Sequence, residues 1–326
     1  MDFRLAFHPK QADKKIVHSD KLFLIGSCFT EQIGQKFSHH KFQTIENPNG
    51  ILFNPISIVG AIARYIQSQP YTEAELFQQN DVWGSWDHHT RFSSIDANIC
   101  LQKINDAQAA AHQFLKDANW IFITLGSAFL YELENNRAVA NCHKVPTDKF
   151  TKRLLTATEI ETALQQMFVD LKQFNPGSHV MFTISPVRHL RDGFVENNRS
   201  KANLISAVHA LVDANPMVHY FPAYELIMDD LRDYRFFAED MVHPNYQATQ
   251  YVWEKLIASC ISEEAQLMMK EIAMIQSAKT HKAFNPTSIQ HLNFLQTNLE
   301  RTINMQKRYP YINWDAEIQY FSSANS

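Results

Sequence analysis

Two neighbouring side chains, Ser27 and Cys28, stand where an apolar run stops and a helical pattern begins. The run Leu22-Phe-Leu-Ile25 reads as a buried strand, Gly26 ends it, and Phe29, Ile33 and Phe37 then recur at helical spacing. A strand feeding straight into a helix delivers a side chain to the end of a sheet, beside free N–H groups and the positive end of the helix dipole. A nucleophile placed there gains a lowered pKa and an anion site for the charge it creates. Far along the chain, Asp240 and His243 are three residues apart, just before Pro244, where a further helix is expected to begin. In an Asp-x-x-His turn the carboxylate orients the imidazole, so that the second ring nitrogen can act as a general base. Nucleophile, base and orienting acid together point to acyl transfer through a covalent intermediate.

The elements that must position these groups alternate. Continuous apolar runs at 120–125 and 179–184 read as strands, as do shorter runs at 41–45 and 217–221. Helical patterns fall near 58–66, 106–117, 198–215 and 246–260. Another runs from the capping box Thr156-Ala-Thr-Glu159 to about residue 174 and is stopped by Asn175-Pro-Gly177. Such alternation predicts a mostly parallel sheet covered on both faces. Ligands bind beyond the carboxyl ends of such strands, which groups Gly26-Ser-Cys28, Gly126-Ser127 and the stretch 185–189 on one rim. Residues 70–99 read as an insertion and 1–20 as an irregular arm or edge strand. Two long helices are expected over 262–308, broken near Phe284-Asn-Pro286 with the proline at a first helical position. The expected division is therefore a domain over 1–261 and a helical extension over 262–326 that packs on it or forms a homodimer contact.

Composition narrows the function classes. The 326 residues are 45% hydrophobic and 20% charged, enough to bury a sizeable core. A net charge of −4 offers no electrostatic basis for nucleic acid as a partner. No apolar run reaches the length of a membrane span, so no membrane partner is expected. The cysteines Cys28, Cys100, Cys142 and Cys260 are widely spaced without a CxxC, and the chain opens Met1-Asp-Phe-Arg-Leu5. Both features point to a reduced, cytoplasmic setting rather than a disulfide framework.

Several motifs together resemble the GSCFA family, a bacterial group placed with SGNH/GDSL-type hydrolases. They are Gly26-Ser-Cys-Phe-Thr30, Asn47-Pro-Asn-Gly-Ile-Leu-Phe-Asn-Pro55, Leu125-Gly-Ser127, Asn141-Cys-His-Lys-Val-Pro146, the stretch 185–193 with Ser200-Lys201, and His243-Pro244. The resemblance covers roughly residues 20–260. It implies an α/β fold, a three-layer α/β/α sandwich with a flavodoxin-like, SGNH hydrolase-like parallel sheet, and ester or acyl chemistry on a small-molecule or glycan ester without a cofactor. Laid without a gap on the SGNH opening Gly-Asp-Ser-x-Thr, Cys28 falls on the nucleophile and Thr30 on the threonine; a one-residue gap would restore Ser27 but lose Thr30. Neighbouring side chains leaving a strand point to opposite sides, so Cys28 and Ser27 are exclusive alternatives, and the alignment favours Cys28.

The same comparison suggests oxyanion donors: the Cys28 N–H, and Gly50 as the counterpart of the second-block glycine. The third-block Gly-x-Asn-Asp is departed from, since Gly126-Ser-Ala-Phe129 carries no asparagine. Ser127, Asn54 or His143 could supply that donor, though Asn54 ahead of Pro55 also reads as a helix cap. Arg188 could clamp an anionic group, or could tie its loop to Asp192 or Glu196; His189 beside it is a second candidate for contact with substrate. His88, His89 and Arg91 next to Trp83 and Trp86 read as exposed loop packing or as a lid. His39-His40, His88-His89, Cys142-His143 and His243 could in principle ligate a metal, but no HxxxH or CxxC spacing supports it. A non-catalytic carbohydrate- or nucleotide-binding module on the same fold is the alternative to an esterase or acyltransferase.

Overall fold

The computed structural model describes residues 5–322. In chain order the elements are β1 Lys21–Gly26, α1 Cys28–His39, β2 Gln43–Glu46, α2 Pro55–Gln67, β3 Leu76–Gln79, β4 Val82–Ser85 and α3 Ala97–Lys116. Next come β5 Trp120–Leu125, β6 Phe129–Glu132, β7 Ala138–Val139, β8 Thr151–Leu154, α4 Ala157–Phe174, β9 His179–Ile184, α5 Gly193–Ala214 and β10 Val218–Tyr220. The short α6 Ala223–Glu225 precedes α7 Tyr246–Cys260, α8 Glu263–Thr280, α9 Ile289–Arg308 and α10 Asp315–Ser322.

β1 pairs in parallel with β2 and β5, and β9 in parallel with β5 and β10, giving the order β10-β9-β5-β1-β2. This is the flavodoxin-like order, with β1 as the strand at which winding reverses. Side-chain alternation along the strands builds the two outer layers. Phe23, Ile25, Ile121, Ile123, Val180 and Phe182 pack with Ile58, Ile62, Leu115, Leu164, Leu204 and Val208 of α2–α5. Leu22, Leu24, Trp120, Phe122 and Met181 face α1 and α7 through Phe29, Ile33, Phe37, Val252 and Trp253. The protein is thus a three-layer α/β/α sandwich.

Two small sheets decorate the rim. β3 and β4 form an antiparallel hairpin in the expected insertion, while β6, β7 and β8 form a second sheet that sequence reading missed. α3 starts at Ala97, before the predicted start at 106, because Asp96 Oδ1 accepts the N–H groups of Asn98 and Ile99. Two proline expectations are corrected. Pro286 lies in the α8–α9 loop, and Ser288 caps α9 by accepting the His291 N–H. Pro244 likewise precedes Asn245, which caps α7 through the Ala248 N–H.

Beyond the sandwich, Met268, Ile272, Ile275, Leu295, Met305, Trp314 and Phe321 form a separate apolar cluster among α8, α9 and α10. It is tied to the sandwich by Lys41, which reaches Glu317 at 2.8 Å and the Asn313 carbonyl at 2.9 Å. The rings of His18 and Tyr311 meet there as well, with Nδ1 and the hydroxyl 3.1 Å apart.

Candidate active site

The carboxyl ends of β1, β5 and β9 carry the site. Gly26 closes β1 at φ +146°, and a Cβ there would lie 2.3 Å from the Thr124 carbonyl oxygen, so only glycine lets the two strands approach. Ser27 donates its N–H to that carbonyl at 3.2 Å and occupies the N-cap of α1 in extended conformation. Its side chain is buried, and among the described residues its hydroxyl has no partner. Cys28 is the first helical residue and is partly exposed. Burial pushes its thiol up; the N–H groups of Phe29 and Cys28 and the charge of Lys201 pull it down, while Glu31 adds to the rise.

In the loop ahead of α7, against the segment that follows β9, Asp240 does two jobs. One oxygen accepts the N–H groups of Val242 and His243 at 3.0 Å each, and the other meets His243 Nδ1 at 2.6 Å. The bonds from the His243 and Val242 backbone, then from the imidazole, hold the Asp240 carboxyl down at about 2. The imidazole is therefore fixed with Nδ1 on the carboxylate, and among the described residues its Nε2 has no partner. The His243 loop is pinned at both ends: Ala238 N–H donates to the His243 carbonyl at 2.7 Å, and Arg188 N–H to the Val242 carbonyl at 3.4 Å.

The expected oxyanion donors fare unequally. The Cys28 N–H is one of the free first-turn donors of α1. The Gly50 N–H instead closes a turn onto the Asn47 carbonyl at 2.7 Å, so in this arrangement it is engaged. Gly50 serves by being small: at φ +81° its missing Cβ leaves room for His89, whose Cβ would be 2.2 Å away. Asn54 caps α2, accepting from the Ile56 and Ser57 N–H groups, and its amide donates to the Phe129 carbonyl at 2.7 Å. The Ser127 N–H donates to the Phe53 carbonyl at 3.0 Å, and its hydroxyl accepts the Phe129 N–H.

A cavity of about 390 Å³ opens beside this rim, with Phe53, Phe129 and Tyr131 as aromatic wall and Asn54, Ser127 and His189 as polar wall. His189 is pushed down to about 4, by burial first and then by the charges of Lys201 and His243, so its ring is neutral. Its Nε2 is buried, has no partner among the described residues, and faces Gly126, whose absent Cβ would lie 3.3 Å from it. Arg188 makes neither of the ion pairs expected from sequence. Asp192 pairs with Lys152 and Glu196 with Arg199. The Arg188 guanidinium lies over Phe237 at 4.5 Å and Tyr234 at 5.4 Å, with one terminal nitrogen buried and unpartnered. His143 turns away from the cavity, its Nε2 2.8 Å from the Ser85 carbonyl, whereas its neighbour Cys142 lines the wall.

Sequence reasoning missed Lys201 as a site residue, although Ser200-Lys201 stood in a recognised motif. Its side chain is 2% exposed, and Nζ donates to the Gly126 carbonyl at 2.6 Å and the Ser185 carbonyl at 2.7 Å. A lysine inside a helical stretch ordinarily reads as a solvated face; only its position among apolar neighbours Leu204 and Val208 hints otherwise. Among the described residues no group of three or more His, Cys, Asp or Glu side chains is placed to hold a metal.

Comparison with known proteins adds the following. The GSCFA family matches residues 21–256, and the description "GSCFA domain protein, C-terminal domain" matches residues 272–325. No curated protein matches the chain. Among solved structures, a carbohydrate esterase family 3 from Talaromyces cellulolyticus is similar at a TM-score of 0.37 and 9% identity, covering 77% of this chain and 99% of that one.

Proposed function

The chain belongs to the GSCFA family, and within it we propose an ester hydrolase or acyltransferase of SGNH type that works through an acyl-enzyme on Cys28. The observation that carries the reading is the Asp240–His243 pair, bonded at 2.6 Å with Nε2 unoccupied. In the proposed sequence the Cys28 Sγ–H proton passes to His243 Nε2, and sulfur forms a bond to the substrate carbonyl carbon. The tetrahedral oxyanion is met by the Cys28 N–H at the head of α1. Its collapse breaks the ester C–O bond, and His243 returns the proton to the leaving alkoxide. The thioester is then cleared by water or by an acceptor hydroxyl. Asp240 keeps the ring oriented and balances the imidazolium. Neutral His189 offers a hydrogen bond to substrate from the cavity wall, and Arg188, stacked on Phe237 and Tyr234, keeps a terminal nitrogen for an anionic group.

The cavity's size suits a small ligand, and its aromatic and polar walls support an O-acylated carbohydrate or related metabolite as substrate. All four cysteines are free, which supports a reducing, cytoplasmic setting, and no helix among the described residues is long and apolar enough to cross a membrane. We assign the catalytic unit to residues 1–261 and an accessory helical unit to 262–326, with Leu267 and Ile289 of α8 and α9, exposed at 62% and 68%, as a homodimer face. The test is turnover of p-nitrophenyl and O-acetyl esters with trapping of the thioester by mass spectrometry. Cys28→Ala and His243→Ala are each expected to lower kcat by at least about a hundredfold. Wild-type turnover in both would end the proposal.

The upward push of burial on the Cys28 thiol favours a second reading, a carbohydrate- or nucleotide-binding module without catalysis. It predicts ligand binding near Arg188, no covalent adduct, and no loss on Cys28→Ala.

A further inference from the structure

Lys201 carries a buried charge at the rim that the proposed reaction leaves unexplained. It rises from α5 into the interior, 2% exposed, and its Nζ bridges the carbonyls that follow β5 and β9. No carboxylate among the described residues pairs with it. The Tyr224 ring lies 6.0 Å from Nζ, and a buried ammonium held by carbonyl dipoles and a ring face is costly unless an anion stands near it. The sheet register says which group that is. β1 runs level with β5 at Gly26 and Thr124, and β5 with β9 at Leu125 and Ile184. Just past those pairs Ser27 still donates to the Thr124 carbonyl and Ser185 to the Leu125 carbonyl, so the head of α1 at Cys28, Gly126 and Ser185 follow directly on a row of three neighbouring strand ends, adjacent strands lying about 5 Å apart. Lys201 is fastened to two of these ends, and the third carries the thiol. Each group also acts on the other: burial and Glu31 push the Cys28 thiol up while the Lys201 charge draws it down, and burial pushes Lys201 down to about 7 while Cys28 draws it up.

We propose that Lys201 is a positioning residue and the buried countercharge of Cys28: its ammonium, fixed to the ends of β5 and β9, stabilises the thiolate formed when His243 takes the thiol proton. No bond to Lys201 forms or breaks, and the proton that leaves sulfur goes to His243. The inference rests on Cys28 being the nucleophile, yet it concerns the sulfur's ionisation and can be read without any ester.

The experiment is alkylation of Cys28 in the full chain, located by peptide mass spectrometry, with neutral iodoacetamide and with anionic iodoacetate between pH 5 and 10. In wild type the ratio of iodoacetate to iodoacetamide rates is expected to exceed that of a cysteine in a short peptide at least threefold. A ratio equal to the peptide's overturns the inference, and this arm needs no variant. In Lys201→Met, checked for a native circular dichroism spectrum, the iodoacetamide pH midpoint should rise by one unit or more, and the rate at pH 7 should fall about tenfold. An unchanged midpoint in the folded variant overturns it too. A lysine that only braced the strands would alter stability but leave the midpoint and the ratio in place. If these signatures appear while Cys28→Ala retains ester turnover, the catalytic reading fails and the pairing stands.

Discussion

Ser27 and Cys28 differ in what their surroundings ask of them. The Ser27 hydroxyl is buried with no partner, and an unpaired buried hydroxyl carries a desolvation penalty of roughly 1–3 kcal/mol. Ser27→Ala is therefore expected to keep ester turnover within about twofold and to leave the thermal midpoint unchanged or higher. A collapse of turnover would move the nucleophile to Ser27. Asp240 can be tested apart from charge at the sulfur. Its carboxyl, held at about 2 by the His243 and Val242 backbone and by the imidazole, stays ionised across the working range. Asp240→Asn should cost about 10²–10⁴ in kcat with little change in KM, measured by steady-state kinetics with the p-nitrophenyl ester. The pairing of Asp240 with His243 could be read from spacing alone. The Gly50 and Asn54 roles could not, because a motif letter does not say whether an N–H already closes a turn or an amide already caps a helix.

At the scale of elements, the strand–helix junction was the most legible feature, because apolar runs and glycine punctuation are local signals. β5, β9 and α7 coincide with the runs that predicted them. What stayed hidden depended on distant partners. The β6–β7–β8 sheet is short and half exposed, so its residues show no clean alternation. α3 begins at a single aspartate cap inside what looked like an insertion. Lys201 points inward because two carbonyls from other strands receive it, and no window of sequence contains that fact. The junction itself yields a sharp prediction. A methyl group at Gly26 would press on the Thr124 carbonyl at 2.3 Å in a conformation that L-residues avoid. Gly26→Ala should lower stability by about 3 kcal/mol or more, read from urea unfolding.

For the whole molecule, the docking of the C-terminal helices turns on one carboxylate. Burial pushes the Glu317 carboxyl up, but hydrogen bonds from Lys41, Gln276 and Lys279 outweigh it and hold it below its usual value. Glu317→Ala removes the partner of two cations and should cost about 3 kcal/mol. The loss should appear as faster amide exchange in α10 while the β1–β5–β9 core stays protected. Acid stability follows from two histidines. His88, pushed to about 3 by burial and then by the charges of His143 and Arg64, and His189, pushed to about 4, are neutral in the fold. Unfolded, each takes up a proton near pH 6.5. Their contribution is thus complete above 6.5 and is lost as pH falls from 6.5 toward 4 for His189 and toward 3 for His88, by up to about 1.4 kcal/mol per pH unit for each. Urea midpoints between pH 7.5 and 4.5 should show that slope, and His88→Gln should reduce it.

The order of these parts along the chain has a consequence for biosynthesis. Cys28 leaves the ribosome first, and His243 follows 215 residues later. At about 5–20 residues per second, the thiol waits roughly 10–40 s for the base proposed for it. During that wait β9 and α5 are still being made, so neither Lys201 nor the row it fastens exists. The growing chain carries an ordinary peptide thiol, and the proposed reactive centre comes into being only when the last strand and α7 close the sandwich. Nascent-chain complexes stalled short of residue 243 should therefore alkylate at the rate of an ordinary peptide thiol.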